Sequence, residues 1–387
     1  MSQLKDKLGA KGDLALLSVA HLMSDVYASF IVTLLPLWVR LFDLPFSAAG
    51  FLVFSRGASM AVFEPLGGYF ADRSARLIFP FGLLIVTLAM SSVGWASNYS
   101  ILILLILIAT VGQSLFGPHA ASTATHSSGS RKSLGLAVFL SGGSLGAALG
   151  PITVASLVNA MGLQRIWLMA LPGLLLSALL YKKFAPGIET LDRAKRSLDI
   201  LSSINLGPAL ALAGVLLLRG AAETGFVAFL PLLIEQKGGG LIAVGATVSL
   251  FKLSGAAGVI IAGFVSDRKS WKPTMILSFV LAVVLLYGFL QTEGSRALVL
   301  AALLGATLHS SSSYTLVMAQ HLLPERTSTA TGLVFSLSLL GGGLGALCEG
   351  FLADGFGVET ALLILGVILP LGAAAATMGL REQPITP

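Results

Sequence analysis

Long apolar runs, separated by short islands of charge, cover almost all of the 387-residue chain. Most runs are about 20 residues long, the length of α-helix that crosses the hydrocarbon core of a bilayer. They do not alternate and are about twice as long as a barrel strand, which argues against a transmembrane β-barrel. The fold class that this pattern predicts is an all-α membrane protein with twelve transmembrane helices. The predicted spans are residues 14–38, 46–70, 77–97, 100–122, 134–158, 163–184, 207–234, 241–265, 273–291, 297–319, 328–352 and 358–380.

Composition supports this class, because apolar residues make up 55% of the chain and charged residues 11%. A soluble domain has roughly 45–50% and 25%. The single cysteine, Cys348, excludes an intrachain disulfide framework and a cysteine-based metal cluster. The net charge of +6 does not indicate nucleic-acid binding, because the basic residues lie in the loops between spans.

The basic residues are distributed unevenly between the two sides of the membrane. Seventeen lysines and arginines fall on the side of the N-terminus and four on the other side, namely Arg40, Arg165, Lys237 and Arg296. The positive-inside rule therefore predicts that both termini are cytoplasmic. We expect a multi-pass protein of the cell inner (cytoplasmic) membrane of a bacterium or archaeon.

The two halves of the chain repeat each other. Three pairs of residues are spaced by 195 positions: Pro36 and Pro231, Gly68 and Gly263, and Asp72 and Asp267. A constant spacing at separate landmarks predicts two bundles of six helices with the same topology. We place the bundles at residues 1–184 and 205–387, joined by a cytoplasmic linker at 185–204.

The loop between spans two and three reads Gly68-Tyr-Phe-Ala-Asp72-Arg73-Ser-Ala-Arg76. It resembles the Gly-x-x-x-Asp-Arg-x-Gly-Arg loop of the major facilitator superfamily, with Ala75 in place of the second glycine. Gly263 to Lys269 form a weaker second copy. The resemblance extends over essentially the whole chain and implies a transporter rather than an enzyme. The alternative is that these charges only set topology and are solvated.

In the family, such loops join the halves in one conformational state. A carboxylate at a helix end can meet arginines and the positive N-terminus of a neighbouring helix, and it can release them in the other state. The residues expected to form this conformational latch are Gly68, Asp72, Arg73, Arg76, Asp267 and Arg268.

Span five contains Gly146-Ala-Ala-Leu-Gly150-Pro151. It resembles the Gly-x-x-x-Gly-Pro core of the family's antiporter motif, although the flanking glycines of that motif are absent. The alternative is ordinary packing of helices through small residues. The later half has several glycines between Gly341 and Gly345 but no matching Gly-Pro, so we predict this feature for the first half only.

Two further segments resemble the fosmidomycin-resistance type of efflux protein within that superfamily. One is Ser18-Val-Ala-His21-Leu-Met-Ser-Asp25, and the other runs from Val111 to Pro151. The second segment has the order Gly-Pro-His at 117–119 where that type has Phe-His-Pro. The resemblance implies efflux and drug resistance.

Polar and ionisable residues inside the spans are the candidates for function. Asp, Lys or Arg at a helix centre costs about 2.5–3.5 kcal/mol in insertion experiments, so we expect these side chains to face a cavity or one another. The residues are His21, Asp25, Arg56, Glu64, Gln113, His119, Arg219, Glu223, Lys252, His309 and Glu349.

His21 and Asp25 lie one helical turn apart and can share a hydrogen bond, as can Arg219 and Glu223. The candidate proton-coupling residues are His21, Asp25, Glu64 and Glu223. The alternative for the first pair is that it only packs span one against span five.

The candidate substrate-binding residues are Arg56, Gln113, His119, Arg219, Lys252 and His309. The three cations among them predict an anionic substrate. The alternative is that they pair with Asp25, Glu64 and Glu223, which would leave the cleft neutral. Neither His119 nor His309 has a carboxylate or cysteine three or four residues later, so we predict no metal site.

We therefore predict proton-coupled efflux, or antiport, of a small anionic compound or drug by alternating access. The alternatives are a proton symporter that imports an organic anion, and a non-transporting membrane sensor or scaffold. The sequence has no His-Glu-x-x-His, no P-loop motif and no Gly-x-Ser-x-Gly in a suitable context, so an enzyme or an ATP-driven pump is not expected. The expected partners are the substrate, protons and the lipid bilayer. We expect a monomer without a cofactor.

Overall fold

The computed structural model describes residues 2–73, 78–128, 131–184, 206–266, 270–323 and 327–380. Within these ranges the chain is helical, with short connections and no β-strand. The α-helices are α1 (Ser2–Ala28), α2 (Phe30–Leu41), α3 (Phe46–Arg73), α4 (Ile78–Ser91), α5 (Tyr99–Ser127), α6 (Lys132–Met161), α7 (Ala170–Phe184), α8 (Leu206–Gln236), α9 (Leu241–Ser266), α10 (Trp271–Leu290), α11 (Gly294–Leu322), α12 (Thr327–Phe356) and α13 (Val358–Met378). Two short 3₁₀ helices, Val93–Trp95 and Leu163–Met169, precede α5 and α7.

The predicted all-α membrane fold is confirmed. Among the described residues, 11 helical segments are long and apolar enough to cross a membrane, and Phe79–Trp95 is a shorter apolar helix. Together they occupy the positions of the twelve predicted spans. Helices satisfy their backbone hydrogen bonds locally, which is what a hydrocarbon environment requires.

The first span is interrupted at Ser29, between α1 and α2. The Ser29 hydroxyl donates to the carbonyl of Val26 (2.6 Å), and the Thr33 hydroxyl donates to the carbonyl of Ser29 (2.9 Å). Side chains that bond to carbonyls of the preceding turn compete with the helical ladder and bend the helix. Asp25 therefore lies in the last turn before this interruption.

The chain forms two compact units. The first consists of Met1–Thr33 and Val62–Ala194, and the second consists of Leu34–Ala61 and Lys195–Pro387. The segment 34–61, which we assigned to the first bundle, thus groups with the later residues. The predicted linker at 185–204 lies outside the described residues, and the predicted division into bundles stays a prediction.

The segment Leu34–Ala61 joins the second unit through α12. A Cβ atom at Gly50 would meet the backbone of Ala346, so α3 and α12 are in backbone contact. At the start of α3, the Asp354 carboxylate accepts hydrogen bonds from Phe46 N (2.6 Å) and Ser47 N (3.0 Å). The first turn of a helix has unsatisfied N–H groups and partial positive charge, which a carboxylate stabilises. We call this end of the helices, where α2 ends and α3 begins, the α2–α3 end.

In each unit, one pair of helices packs through glycines at the same register. α1 packs on α6 in the first unit, and α8 packs on α12 in the second. A Cβ atom at any of these glycines would collide with the backbone of the partner helix. The contacts are Gly142 with Ser18, Gly146 with Leu22, Gly341 with Leu217, and Gly345 with Ala221. Every glycine lies 124 residues after its partner (18 to 142, 217 to 341). Glycine packing is therefore not confined to the first half, although the buried Pro151 has no counterpart.

Gly146→Ala is expected to destabilise the protein, because the new methyl would collide with the Leu22 backbone rather than with a movable side chain. Overpacking of this kind costs about 1–3 kcal/mol. The matched control is Gly117→Ala on α5, where a Cβ meets nothing within 4 Å. Thermal unfolding of both purified variants measures the difference. Equal melting temperatures for the two variants would contradict the predicted packing role of Gly146.

The core of the first unit supports the polar residues of α1. Leu17, Phe79, Phe116 and Phe139 are fully or almost fully buried in one apolar cluster. The His21 ring stacks on Phe139 with ring centroids 4.2 Å apart, and it lies at 6.4 Å from Phe116. The imidazole is therefore held between aromatic side chains of α5 and α6.

Candidate functional site

His21 and Asp25 form the centre of a polar cluster in the first unit. His21 Nε2 lies 3.7 Å from Asp25 Oδ2, and Gln113 Nε2 donates to Asp25 Oδ1 at 3.1 Å. On its other side, His21 Nδ1 lies 2.9 Å from the Phe139 carbonyl oxygen. We call His21, Asp25 and Gln113 the Asp25 cluster.

These contacts restrict where the protons of the Asp25 cluster can be. A carbonyl oxygen only accepts, so His21 Nδ1 carries its hydrogen. Nε2 then faces the Asp25 carboxylate at 3.7 Å, beyond direct hydrogen-bond distance. Both side chains are partly accessible, with 17% and 24% of their surface exposed.

Gly143, which was not among the predicted site residues, makes room for the Asp25 cluster. A Cβ atom there would lie 2.7 Å from both Asp25 Oδ2 and His21 Nε2. The backbone of α6 can therefore approach the acid–histidine pair only because position 143 lacks a side chain. The paired glycines in Ser141-Gly-Gly-Ser144 were the available signal.

The second unit contains a carboxylate in contact with three basic side chains. Glu223 Oε1 lies 2.9 Å from His309 Nε2 and 3.4 Å from Lys252 Nζ, and Glu223 Oε2 lies 3.2 Å from Arg219 Nη1. These residues, on α8, α9 and α11, are called the Glu223 cluster. Four residues predicted for two different roles, proton coupling and substrate binding, are thus in direct contact.

Arg219 is the most buried member of the Glu223 cluster, with 7% of its side chain exposed. Besides Glu223, it donates to Ser312 Oγ (2.7 Å) on α11 and to Ser338 Oγ (3.1 Å) on α12. Its planar guanidinium can reach several acceptors at once, which a lysine ammonium cannot do in the same geometry. Arg219 therefore connects three helices of the second unit.

His309 holds one exchangeable proton with Glu223. Its Nδ1 lies 2.9 Å from the Gly305 carbonyl oxygen and so carries its hydrogen. The 2.9 Å contact between Nε2 and Glu223 Oε1 then requires a proton on one of the two groups. A Cβ at Gly255 would lie 2.7 Å from the ring, and Phe251 packs edge-on at 5.4 Å, so α9 fixes the imidazole orientation.

The Glu223 cluster has an excess of positive charge. Arg219 and Lys252 each contribute +1 and Glu223 contributes −1, so the cluster is positive even when His309 is neutral. Lys252 keeps 26% of its side-chain surface exposed. Excess charge inside a span is costly, and a bound anion would offset it. In this cluster one carboxylate faces two basic side chains, and the predicted alternative, in which Arg56, Arg219 and Lys252 pair with Asp25, Glu64 and Glu223, stays a prediction.

The two clusters have similar positions in their units. Gln113 on α5 contacts Asp25 on α1, and His309 on α11 contacts Glu223 on α8. Each contact joins the first span of a half to its fourth, across 88 and 86 residues respectively. The internal repeat thus places one polar cluster in each unit.

Three other predicted site residues lie on α3 and α5. Arg56 is half-buried on the part of α3 that belongs to the second unit, and Glu64 is half-buried on the part that belongs to the first. His119 is buried on α5, 5% exposed. The roles of all three stay predictions.

The predicted latch falls mostly outside the described part of the chain. Gly68, Asp72 and Arg73 belong to the last turns of α3, where only the backbone is described. Arg76, Asp267 and Arg268 lie outside the described residues. Of the span-five motif, Gly146 and Gly150 face α1, with Gly150 against Val26 and Ser29.

Comparisons with known proteins agree with this architecture. The sequence model of the Major Facilitator Superfamily matches residues 17–295 and 212–387. The fosmidomycin resistance protein of Escherichia coli (strain K12) is 27% identical over 375 residues, which cover 93% of this chain and 91% of that protein. An uncharacterized MFS-type transporter of Bacillus subtilis (strain 168), YfnC, is 24% identical over 381 residues, covering 94% and 91%.

Solved structures share the fold. A bacterial homolog of the human lysosomal transporter Spinster, inward-facing and unoccupied, superposes with a TM-score of 0.80 at 14% identity, covering 97% of this chain and 99% of that one. The nucleoside transporter NupG superposes with a TM-score of 0.74 at 16% identity, covering 96% and 100%.

Proposed function

The chain belongs to the major facilitator superfamily of membrane transporters, and from this premise we propose that it exports a small anionic compound in exchange for protons. The observation that carries the proposal is the Glu223 cluster, where Arg219 and Lys252 face a single carboxylate. A carboxylate, phosphate or phosphonate of the substrate would bind these cations. The expected direction comes from the relative named as a fosmidomycin resistance protein.

The Asp25 cluster is the proposed proton-coupling site. Its histidine has one nitrogen committed to the Phe139 carbonyl and the other facing Asp25. A proton can therefore bind at this pair and leave it without a change in the backbone contact. The partial exposure of both side chains provides access for water.

Orientation follows from the distribution of basic residues, which supports cytoplasmic termini in an inner membrane. The α2–α3 end is then the outward end of the helices. The latch at Gly68 to Arg76 and at Asp267 and Arg268 would lie at the opposite, cytoplasmic end. We further propose that the chain works as a monomer.

One observation favours a second function, the import of an anion together with a proton. Glu223 occupies the same cations that a substrate anion would use. Protonation of Glu223 by the neighbouring His309 would free Lys252 and Arg219, so a proton and an anion would bind together. Antiport and symport therefore differ in the direction of the pH gradient that drives accumulation of the substrate.

Transport of fosmidomycin, a phosphonate, tests the proposal directly. We expect inside-out membrane vesicles with an acidic interior to accumulate it, and a protonophore to stop the accumulation. Accumulation only in right-side-out vesicles with an acidic exterior would favour symport. Vesicles that move neither fosmidomycin nor any other organic anion under either gradient would refute anion transport.

Lys252→Ala is expected to raise the KM for the transported anion by about tenfold or more, since a hydrogen bond to a charged group contributes about 1.5–3 kcal/mol. Arg56→Ala is expected to weaken binding in the same direction if Arg56 also faces the substrate. The matched control is Lys237→Ala, because Lys237 pairs with Glu359 and the Leu290 carbonyl instead. Full transport by both the Lys252 and the Arg56 variants would refute the anionic site.

A further inference from the structure

Glu349 is a buried carboxyl group that neither cluster uses. It lies on α12, is 2% exposed, and its Oε1 is inaccessible to solvent. Within the described part of the chain, Glu349 forms no hydrogen bond and no ion pair. Its Oε2 faces Gly225 on α8, where a Cβ atom would lie 3.2 Å away.

The packing register shows that space is made for this side chain. The glycine contacts between α1 and α6 and between α8 and α12 recur every four residues, with partners 124 residues apart. The third contact of the first unit joins Val26 to Gly150, and that of the second joins Gly225 to Glu349. At this level the glycine of the first unit lies on α6, whereas that of the second unit lies on α8. α12 therefore carries a carboxyl group at the position where α6 has a glycine.

Charged groups on the surrounding helices are engaged elsewhere. On α8, Arg219 and Glu223 contact each other, and Glu223 also contacts Lys252 and His309. On α13, Glu359 is half-exposed and pairs with Lys237. On α12 itself, Asp354 binds the start of α3, and Cys348 is exposed. Arg56 on α3 and Arg296 and His321 on α11 form no ion pair with Glu349.

An isolated ionised carboxylate inside a span is strongly disfavoured, and such a group remains neutral by retaining its proton. Glu349 precedes Asp354 by five residues, which places it about 7.5 Å deeper along the helix. The contacts between α3 and α12, including Gly350 against Phe46 and Ser47, cover this level of the helix. Glu349 itself faces α8 at Gly225, one position before Gly350. Separation of α3 from α12 would therefore let water reach the level of the carboxyl group from the α2–α3 end.

We propose that Glu349 is a second proton-carrying site of the transporter, which holds its proton while α3 packs on α12 and exchanges it when the α2–α3 end opens. This inference rests on the proposed proton coupling and adds a carrier distinct from the Asp25 cluster. No residue of the Glu223 cluster needs to change its partner for this exchange. The site requires only the unpaired carboxyl group and its access route.

Infrared spectroscopy of the full chain in liposomes tests the protonation. We expect the carbonyl band of a protonated carboxylic acid at neutral pH, and we expect Glu349→Gln to remove part of that band. The matched control is Glu293→Gln, which makes the same exchange at an exposed position before α11. A band that Glu349→Gln leaves unchanged would overturn the proposal.

Transport measurements test the carrier role. Glu349→Gln is expected to retain exchange of fosmidomycin across the membrane without a gradient, and to lose at least about tenfold of the accumulation driven by a pH gradient. Glu349→Asp is expected to restore part of that accumulation, because it restores an ionisable group. Undiminished gradient-driven accumulation by Glu349→Gln would overturn the carrier role. If the wild-type protein moves no fosmidomycin, the proposed substrate fails, while the infrared experiment still decides whether Glu349 holds a proton.

Discussion

Replacement of Arg219 by methionine is expected to abolish transport and to destabilise the protein by about 3 kcal/mol. Removal of one partner from a buried ion pair leaves an uncompensated charge and typically costs about 3–5 kcal/mol. Glu223 would keep Lys252 and His309, which is why we expect the lower end of that range. Ser312 and Ser338 would lose their donor as well. Thermal unfolding and fosmidomycin transport of the purified variant measure both effects.

A variant of an exposed ion pair is the control for the Arg219 experiment. Arg40→Met makes the same exchange in the Arg40–Glu235 pair, where Arg40 is 63% exposed. Exposed pairs contribute about 0–1 kcal/mol, so this variant should unfold close to the wild-type temperature. A stable, fully active Arg219→Met protein would contradict the central role of this arginine.

Asp25→Asn is expected to reduce the transport driven by a pH gradient at least about tenfold, while substrate exchange without a gradient continues. Asparagine preserves the shape and can still accept from Gln113, so the contact of α1 with α5 should survive. It cannot take up a proton as the Asp25 carboxylate beside His21 Nε2 can. Initial rates of fosmidomycin uptake over a range of pH gradients, in vesicles of each variant, measure the coupling.

The control for this experiment is Asp13→Asn on the same helix. Asp13 pairs with Lys183 near the beginning of the first span, away from the Asp25 cluster. We expect it to retain gradient-driven uptake within about a factor of two, because pairs with partial exposure contribute little. An unchanged dependence on the pH gradient in Asp25→Asn would rule out Asp25 as the proton carrier.

Pairs within one helix turn were predictable because residues four apart always share a helix face. His21 with Asp25 and Arg219 with Glu223 are such pairs. The contacts of Lys252 and His309 with Glu223 were not predictable, because they depend on how α9 and α11 are rotated about their axes. Neither the sequence nor its resemblance to a family specifies that rotation.

The glycines show the same limit of prediction from sequence, because a contact between helices depends on how the helices are placed. Gly146 and Gly150 were predictable from a motif. The position of Gly143 beside the acid–histidine pair and that of Gly225 beside Glu349 were not. A glycine that makes room for a distant side chain has no local signal beyond its presence. Its partner is identified only when the facing helix is in place.

The sequence by itself determined the number and positions of the apolar spans and the family, because crossing a bilayer needs about 20 apolar residues in a locally hydrogen-bonded helix. Only the tertiary structure decided which polar residues meet, that Leu34–Ala61 packs with the second unit, and that Glu349 has no partner among the residues that the structure describes. The physical reason is that lipid and protein interior are both apolar. A span is therefore apolar on every side, and its sequence does not show which face is turned inward.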